Sequence, residues 1–355
     1  MKTGLANSVV ANVGRWTLLL LILVAPAIDA APNIPPAINP PDKTAVTESG
    51  VDRLAQAVNA VIKVKVKAVP NARSLATLGA QREGSGIIVG PNGLVLTIGY
   101  LIVEAESVEL EDNAGKVVPA SVVAYDHASG FGLVRSLAPL AIAPVELGDS
   151  AKLGESDSAI FAAAGGIDAA SSTTVVSRRR FAGYWEYMIE DAIFTSPPRF
   201  DHSGAALIDK SGALVGVGSL IVADSSASPR RLPGNMFVPI NLLKPILSEL
   251  LQSGSSHRGR HPWLGITSQE VEGRVFVSKV QADGPAERAG LRSGDILLAV
   301  GGTKIAKLEE LYAAIWKGAQ PGDEVTLTVL QGAEVKQIVV KSMDRSDYMR
   351  TKSRV

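Results

Sequence analysis

Apolar residues recur at every second position in Ile62-Lys-Val-Lys-Val-Lys67, the period of a strand with one face on a core and one in water. Just before it, Val51, Leu54, Ala55 and Val58 fall three or four apart, as on a short amphipathic helix. Residues 86–89 and 94–97 flank the turn Pro91-Asn-Gly93 and predict a hairpin. Further short apolar runs at 108–110, 117–124, 132–135, 159–163, 193–195, 205–208 and 214–218 are each bounded by turn residues. Such regular spacing predicts antiparallel barrels rather than βαβ units. An amphipathic helix over 242–251 closes this block, and the polar stretch 253–260 reads as a linker.

From His261 the pattern changes. Trp263-Leu-Gly-Ile266 leads into a strand over 275–280, and a short helix follows within 284–290, ended by Gly290. A strand is expected at 296–300, an amphipathic helix at 308–316, and a closing hairpin from strands at 325–330 and 335–340. Residues 344–355 read as a polar, frayed tail. At the other end, Lys2 and Arg15 precede a dense apolar run, and small residues follow at Ala27, Ala30 and Ala31. This is the layout of a cleaved export signal over 1–30, and the run is short for a membrane span, which needs roughly 20 residues. Export implies the periplasm of a Gram-negative cell; an uncleaved segment would instead be an N-terminal membrane anchor. Proline-rich residues 31–50 form a linker.

Composition narrows the chemistry. Within 355 residues, Lys plus Arg and Asp plus Glu number 35 each, so no charge excess points to nucleic acid. Cysteine is absent, which excludes disulfides, thiolate metal sites and thiol nucleophiles. No cofactor or metal is expected, since His127 and His202 alone do not make a ligand set.

Ser203 lies in Phe200-Asp-His-Ser-Gly-Ala-Ala-Leu-Ile-Asp209, where Gly204 and small residues suit a tight turn presenting a hydroxyl. A serine hydroxyl is a poor nucleophile unless a base takes its proton and a third group orients that base. The chain has four histidines. His202 adjoins Ser203, so their side chains diverge on a turn. His127 reaches Ser203 only if its loop folds inward, and otherwise is a surface histidine. His257 and His261 fall in or beside the linker and are expected to be solvated. Arg178-Arg-Arg180 reads as a solvated loop, or as a docking patch beside the aromatic residues that follow.

Three stretches in order carry a family resemblance: Gly84-Ser-Gly-Ile-Ile-Val-Gly-Pro-Asn-Gly-Leu-Val-Leu-Thr97, Phe237-Val-Pro-Ile-Asn-Leu-Leu-Lys-Pro-Ile-Leu247, and Pro262-Trp-Leu-Gly-Ile266 with Gly284-Pro-Ala-Glu-Arg-Ala-Gly-Leu-Arg-Ser-Gly-Asp-Ile296. From about Val51 to Met343 the chain resembles the high-temperature-requirement (HtrA) family of exported serine proteases. The resemblance implies a mainly β fold, with a trypsin-like double antiparallel barrel over 51–252 followed by an α+β PDZ domain over 261–343. Family members often trimerise through aromatic residues near the start of the protease domain; this chain has none from Thr17 to Gly99, so that assembly is not expected.

The resemblance also locates what is missing. Where the family carries Leu-Thr-Asn-Asn-His-Val-Val, the chain has Leu96-Thr-Ile-Gly-Tyr-Leu-Ile102, which puts Tyr100 at the base position. The family's acid segment matches Asp126-His-Ala-Ser-Gly-Phe-Gly132, which leaves Gly130 at the acid position. Ser203 keeps the nucleophile position, but Asp201 adds a Cβ and a negative charge beside the expected oxyanion pocket. The phenol of Tyr100 titrates near 10 and stays protonated at neutral pH.

In the PDZ domain the resemblance implies that backbone amides of Leu264, Gly265 and Ile266 receive a peptide's terminal carboxylate. The strand bearing Val275 and Val277 is expected to pair with that peptide, and Leu311 and Ile315 to line the side-chain pocket. The plainer reading of Leu264, Ile266, Leu311 and Ile315 is core. Expected partners are therefore protein segments and C-termini, with HtrA-type protease subunits as a further possibility. Three functions follow: an exported pseudoprotease acting as a binding scaffold or regulator in envelope protein quality control, an active endopeptidase using Ser203 with an atypical base such as His127 or Tyr100, or a modulatory subunit of an active relative.

Overall fold

The computed structural model describes residues 48–226 and 231–349. The expected export signal, most of the Pro-rich linker and residues 350–355 of the expected tail lie outside the described residues.

Among the described residues, eighteen strands build three sheets. The first is a closed barrel of β1 (Val61–Ala68), β2 (Gln81–Gly90), β3 (Leu94–Ile98), β4 (Ala105–Glu111), β5 (Val117–Tyr125) and β6 (Phe131–Ser136), in the order β1-β2-β3-β6-β5-β4. The second closes as β10-β11-β12-β9-β8-β7 from β7 (Ser158–Ala162), β8 (Ala170–Gly183), β9 (Tyr187–Ser196), β10 (Ala206–Ile208), β11 (Leu214–Val222) and β12 (Gly234–Pro239). The third sheet runs β13-β14-β15-β17-β18, from β13 (Ile266–Val271), β14 (Arg274–Val280), β15 (Ile296–Val300), β17 (Glu324–Gln331) and β18 (Glu334–Lys341). The two-residue β16 (Thr303–Lys304) pairs with β15. Seven α-helices among the described residues punctuate them: α1 (Glu48–Asn59), α2 (Leu75–Leu78), α3 (Gly99–Ile102), α4 (Leu247–Ser253), α5 (Pro285–Arg288), α6 (Leu308–Trp316) and α7 (Arg345–Tyr348).

The alternation in β1 works as its pattern requires. Ile62, Val64 and Val66 are buried in the barrel. Each such side chain stabilises the fold by roughly 1.5–3 kcal/mol. On the outer face Lys63, Lys65 and Lys67 pair with Glu83, Glu111 and Glu106 at 3.0, 2.6 and 2.7 Å. Largely solvent-facing pairs of this kind add little to stability. The β2–β3 turn has left-handed Asn92 and Gly93 (φ 59° and 65°), which match the twist of a hairpin.

Four expectations are corrected. The expected helix over 242–251 is a 3-10 turn, Ile240–Leu242, followed by α4. Arg178–Arg180 is not a loop but the middle of β8, where side chains on both faces find partners on β9 or beyond. Arg178 pairs with Asp191, Arg180 with Glu190 at 2.7 Å, and the Arg179 guanidinium lies 3.8 Å from the Phe194 ring centroid. His261 is not solvated in a linker; its ring stacks on Trp316 at 4.3 Å. Residues 345–348 of the expected frayed tail form α7 instead, where Tyr348 is buried between Trp263 (4.6 Å) and Arg73 (4.0 Å) and donates to the Ala282 carbonyl at 2.7 Å.

Candidate functional site

The serine turn is pinned across the barrels. The Ser85 amide on β2 donates to the Ser203 carbonyl at 2.8 Å, and the Gly204 amide donates to the Gly218 carbonyl at 2.9 Å. Gly204 has φ +75°, and a Cβ there would stand 2.0 Å from the Ser85 carbonyl oxygen. Only glycine fits this approach.

Helix α3 brings Tyr100 to this turn from the end of β3. Its phenol oxygen lies 2.8 Å from both Ser203 Oγ and the Ser219 carbonyl oxygen. A phenol has one proton and a carbonyl only accepts, so Tyr100 donates to Ser219 and the Ser203 hydroxyl donates to Tyr100. Burial pushes the phenol up to about 12, against the Ser203 hydrogen bond that lowers it. The serine proton therefore faces a group with no capacity to take it at neutral pH.

Gly130 is buried with φ +80°, and its carbonyl accepts from the Gly99 amide at 2.7 Å, next to Tyr100 in sequence. A Cβ on Gly130 would lie 2.8 Å from the Tyr187 hydroxyl oxygen, which donates to the Ser129 carbonyl at 2.8 Å. The space beside Gly130 is thus filled by a tyrosine from β9. Asp126 does not substitute for it. Burial pushes its carboxyl up, and its Oδ2 is held by the Ser129 amide and hydroxyl at 2.8 and 2.5 Å.

Neither nearby histidine bonds to the Ser203 hydroxyl, whose partner is Tyr100. His127 packs on Tyr125 at 4.2 Å, and its buried Nδ1 has no hydrogen-bond partner. Burial, with the charge of Arg345, lowers its pKa to about 3. The ring is consequently neutral when folded, whereas unfolded it titrates near 6.5. Its stabilising contribution is complete above pH 6.5 and is lost as pH falls toward 3, by about 1.4 kcal/mol per unit. Urea unfolding at pH 7 and pH 5 should show about 2 kcal/mol more loss in wild type than in His127→Phe; equal losses would show that the ring titrates freely. His202 places Nδ1 3.3 Å from the Arg199 carbonyl oxygen, and burial lowers its pKa. The negative charge expected at Asp201 is present and paired with Arg199. Burial raises its carboxyl, but the Arg199 guanidinium outweighs that and holds it low, with Nε donating to Oδ1 at 2.9 Å.

In the third sheet the expected pairing strand is corrected. Strand β14 hydrogen-bonds to β13 on one side and β15 on the other, so it has no edge for a peptide. Val275 and Val277 are buried core residues, as are Leu264, Ile266, Leu311 and Ile315. The edge belongs to β13, where the Ser268 amide donates to the Tyr184 carbonyl at 2.8 Å. The amides of Leu264, Gly265 and Ile266 do converge on an anion: the Glu186 carboxylate, at 2.7, 2.9 and 3.0 Å. Burial pushes this carboxyl up to about 7, although the three amides pull it down. Glu186, Ser219 and Arg199 are among the residues here that the sequence pattern did not single out, and Tyr187 figured there only among the aromatic residues after Arg180.

Ser203, Tyr100 and Tyr187 share one cleft of about 990 Å³ with Ile266, Ser268 and Val271 of β13. The serine turn and the strand edge are thus continuous across one surface.

Residues 84–217 match the trypsin-like peptidase domain family and residues 262–341 the PDZ domain family. The chain is 29% identical over 76% of its length to a probable periplasmic serine protease do/HhoA-like of Haemophilus influenzae. It is 26% identical over 72% of its length to the periplasmic pH-dependent serine endoprotease DegQ of Escherichia coli. It spans 60% and 58% of these two relatives' own lengths. Protease Do-like 1, chloroplastic, of Arabidopsis thaliana is 29% identical over 92% of this chain and 79% of the relative. The solved structure of the HtrA-type protease AlgW with decapeptide superposes with a TM-score of 0.51 at 18% identity, covering 83% of this chain and 98% of that one. The chain is thus a trypsin-like peptidase domain followed by a PDZ domain, an arrangement similar to that of the HtrA-type proteases.

Proposed function

We propose that this chain is an exported, periplasmic pseudoprotease of the HtrA family, a scaffold that binds polypeptides without cutting them. The observation that supports this most is the partner of Ser203, a buried phenol held near 12 and itself bonded to the Ser219 carbonyl. A hydroxyl in that position has no base, and Gly130 offers no group to orient one. Removing the base or the nucleophile alone costs about 10⁶ in turnover where the triad acts as a unit. The binding role rests on the edge of β13 and the amides of residues 264–266, which have the geometry to receive a strand and its carboxylate. Regulation of an active relative through mixed assemblies is one form such binding could take.

The names of the relatives favour a second reading, an endopeptidase that uses Ser203. One experiment separates the two. Purified wild type and Ser203→Ala are incubated with unfolded casein and with a fluorophosphonate probe. We expect neither protein to cleave or to be labelled above background. Labelling and cleavage by wild type that Ser203→Ala abolishes would establish the peptidase.

A further inference from the structure

The tip of the β8–β9 hairpin sits in the third sheet's edge as a peptide would. The Glu186 carboxylate accepts from three successive amides, with Oε1 on Leu264 and Oε2 on Gly265 and Ile266. Two residues earlier, the Tyr184 carbonyl accepts from the Ser268 amide of β13. A carboxylate in the loop and a backbone carbonyl on the strand are the two anchors of strand addition. The tip is fixed from below by α6, where the Tyr312 hydroxyl donates to the Gly183 carbonyl at 2.6 Å and lies 3.2 Å from the Glu186 amide. Arg345 of α7 donates to the Trp185 carbonyl at 3.3 Å. Glu186 itself holds φ +55°, a left-handed backbone that glutamate rarely adopts. Without this anion the three amides would be orphaned donors, whose burial is costly.

We propose that Glu186 is a tethered internal ligand of the 264–266 loop, and that a polypeptide ending in a free α-carboxylate binds only by displacing the hairpin tip. This rests on the peptide-binding reading above. Tyr187 starts β9 directly after Glu186 and fills the space beside Gly130, so displacement of the tip also moves a wall of the Ser203 cleft.

Two readouts on the full chain test this. Hydrogen exchange at the amides of residues 265, 266 and 268 should be at least tenfold faster in Glu186→Gln than in wild type. Glu190→Gln, whose parent side chain faces Arg180 on the same hairpin, should leave it unchanged. Fluorescein-labelled decapeptides, randomised at their last three positions and ending in a free carboxylate, should bind Glu186→Gln at least tenfold more tightly than wild type. The same peptides as carboxamides should bind neither. Should Glu186→Gln lose its melting transition, Glu186→Asp, which keeps the charge one methylene short, replaces it. Unchanged exchange, or equal peptide affinity for variant and wild type, overturns the tethered ligand and leaves peptide binding standing. Freed amides with no peptide bound by either protein overturn displacement together with the peptide-binding reading.

Discussion

Gly130→Asp should lower the unfolding free energy by about 3 kcal/mol or more, and should restore no peptidase activity even when combined with Tyr100→His. Two costs act at the same position. A side chain at φ +80° carries roughly 1–2 kcal/mol of backbone strain. Its Cβ would also stand 2.8 Å from the Tyr187 hydroxyl oxygen, and overpacking of a filled site costs about 1–3 kcal/mol. Urea unfolding of the single variant measures the sum; wild-type stability would show that the space is open. Adding Tyr187→Ala makes room for the carboxylate, but deletes a buried aromatic side chain worth about 3–5 kcal/mol. The space beside Gly130 is occupied by Tyr187 rather than empty.

Gly204→Ala is expected to be at least as damaging, about 3 kcal/mol or more, because its obstacle is backbone. The new Cβ would meet the Ser85 carbonyl oxygen at 2.0 Å and Thr97 Oγ1 at 2.7 Å. The Thr97 hydroxyl donates to that same carbonyl at 2.7 Å, so neither atom yields without breaking the bond between them. Gly115→Ala is the control: its φ is +83°, but no atom lies within 4 Å of its Cβ position. That variant should lose only the left-handed penalty of roughly 1–2 kcal/mol. The difference between the two unfolding curves isolates the close approach, and equal losses would show that the serine turn can relax away from β2.

Much of this was legible locally. The alternation at 62–67, the Asn92-Gly93 turn and the helix at 308–316 are written in short-range period and turn chemistry, and the structure places each where the pattern does. Tyr100 could be set opposite Ser203 because a family motif fixes both ends of a pair 103 residues apart. What escaped depends on partners the sequence does not bring together. Three consecutive arginines look like a solvated loop until Asp191, Glu190 and Phe194 arrive on the neighbouring strand. Tyr348 looks frayed until Arg73 and Trp263 enclose it. The strand bearing Val275 and Val277 reads as the next one after the 264–266 loop because β13, rich in polar residues, shows no apolar alternation. Glu186 carries no local signal of any kind, since its three donors lie 78 to 80 residues downstream.

Chain order gives that last contact a direction in time. Synthesis runs from the amino terminus, and domains fold as units in that order. In chain order the β8–β9 hairpin and the rest of its barrel precede residues 264–266, so a chain that emerges amino terminus first can close that barrel before they follow. The loop amides then fold onto an anion that is already waiting, so the third sheet is never required to hide three unpaired donors on its own. The glutamate acts in this sense as a template for the loop first, and as its occupant afterwards.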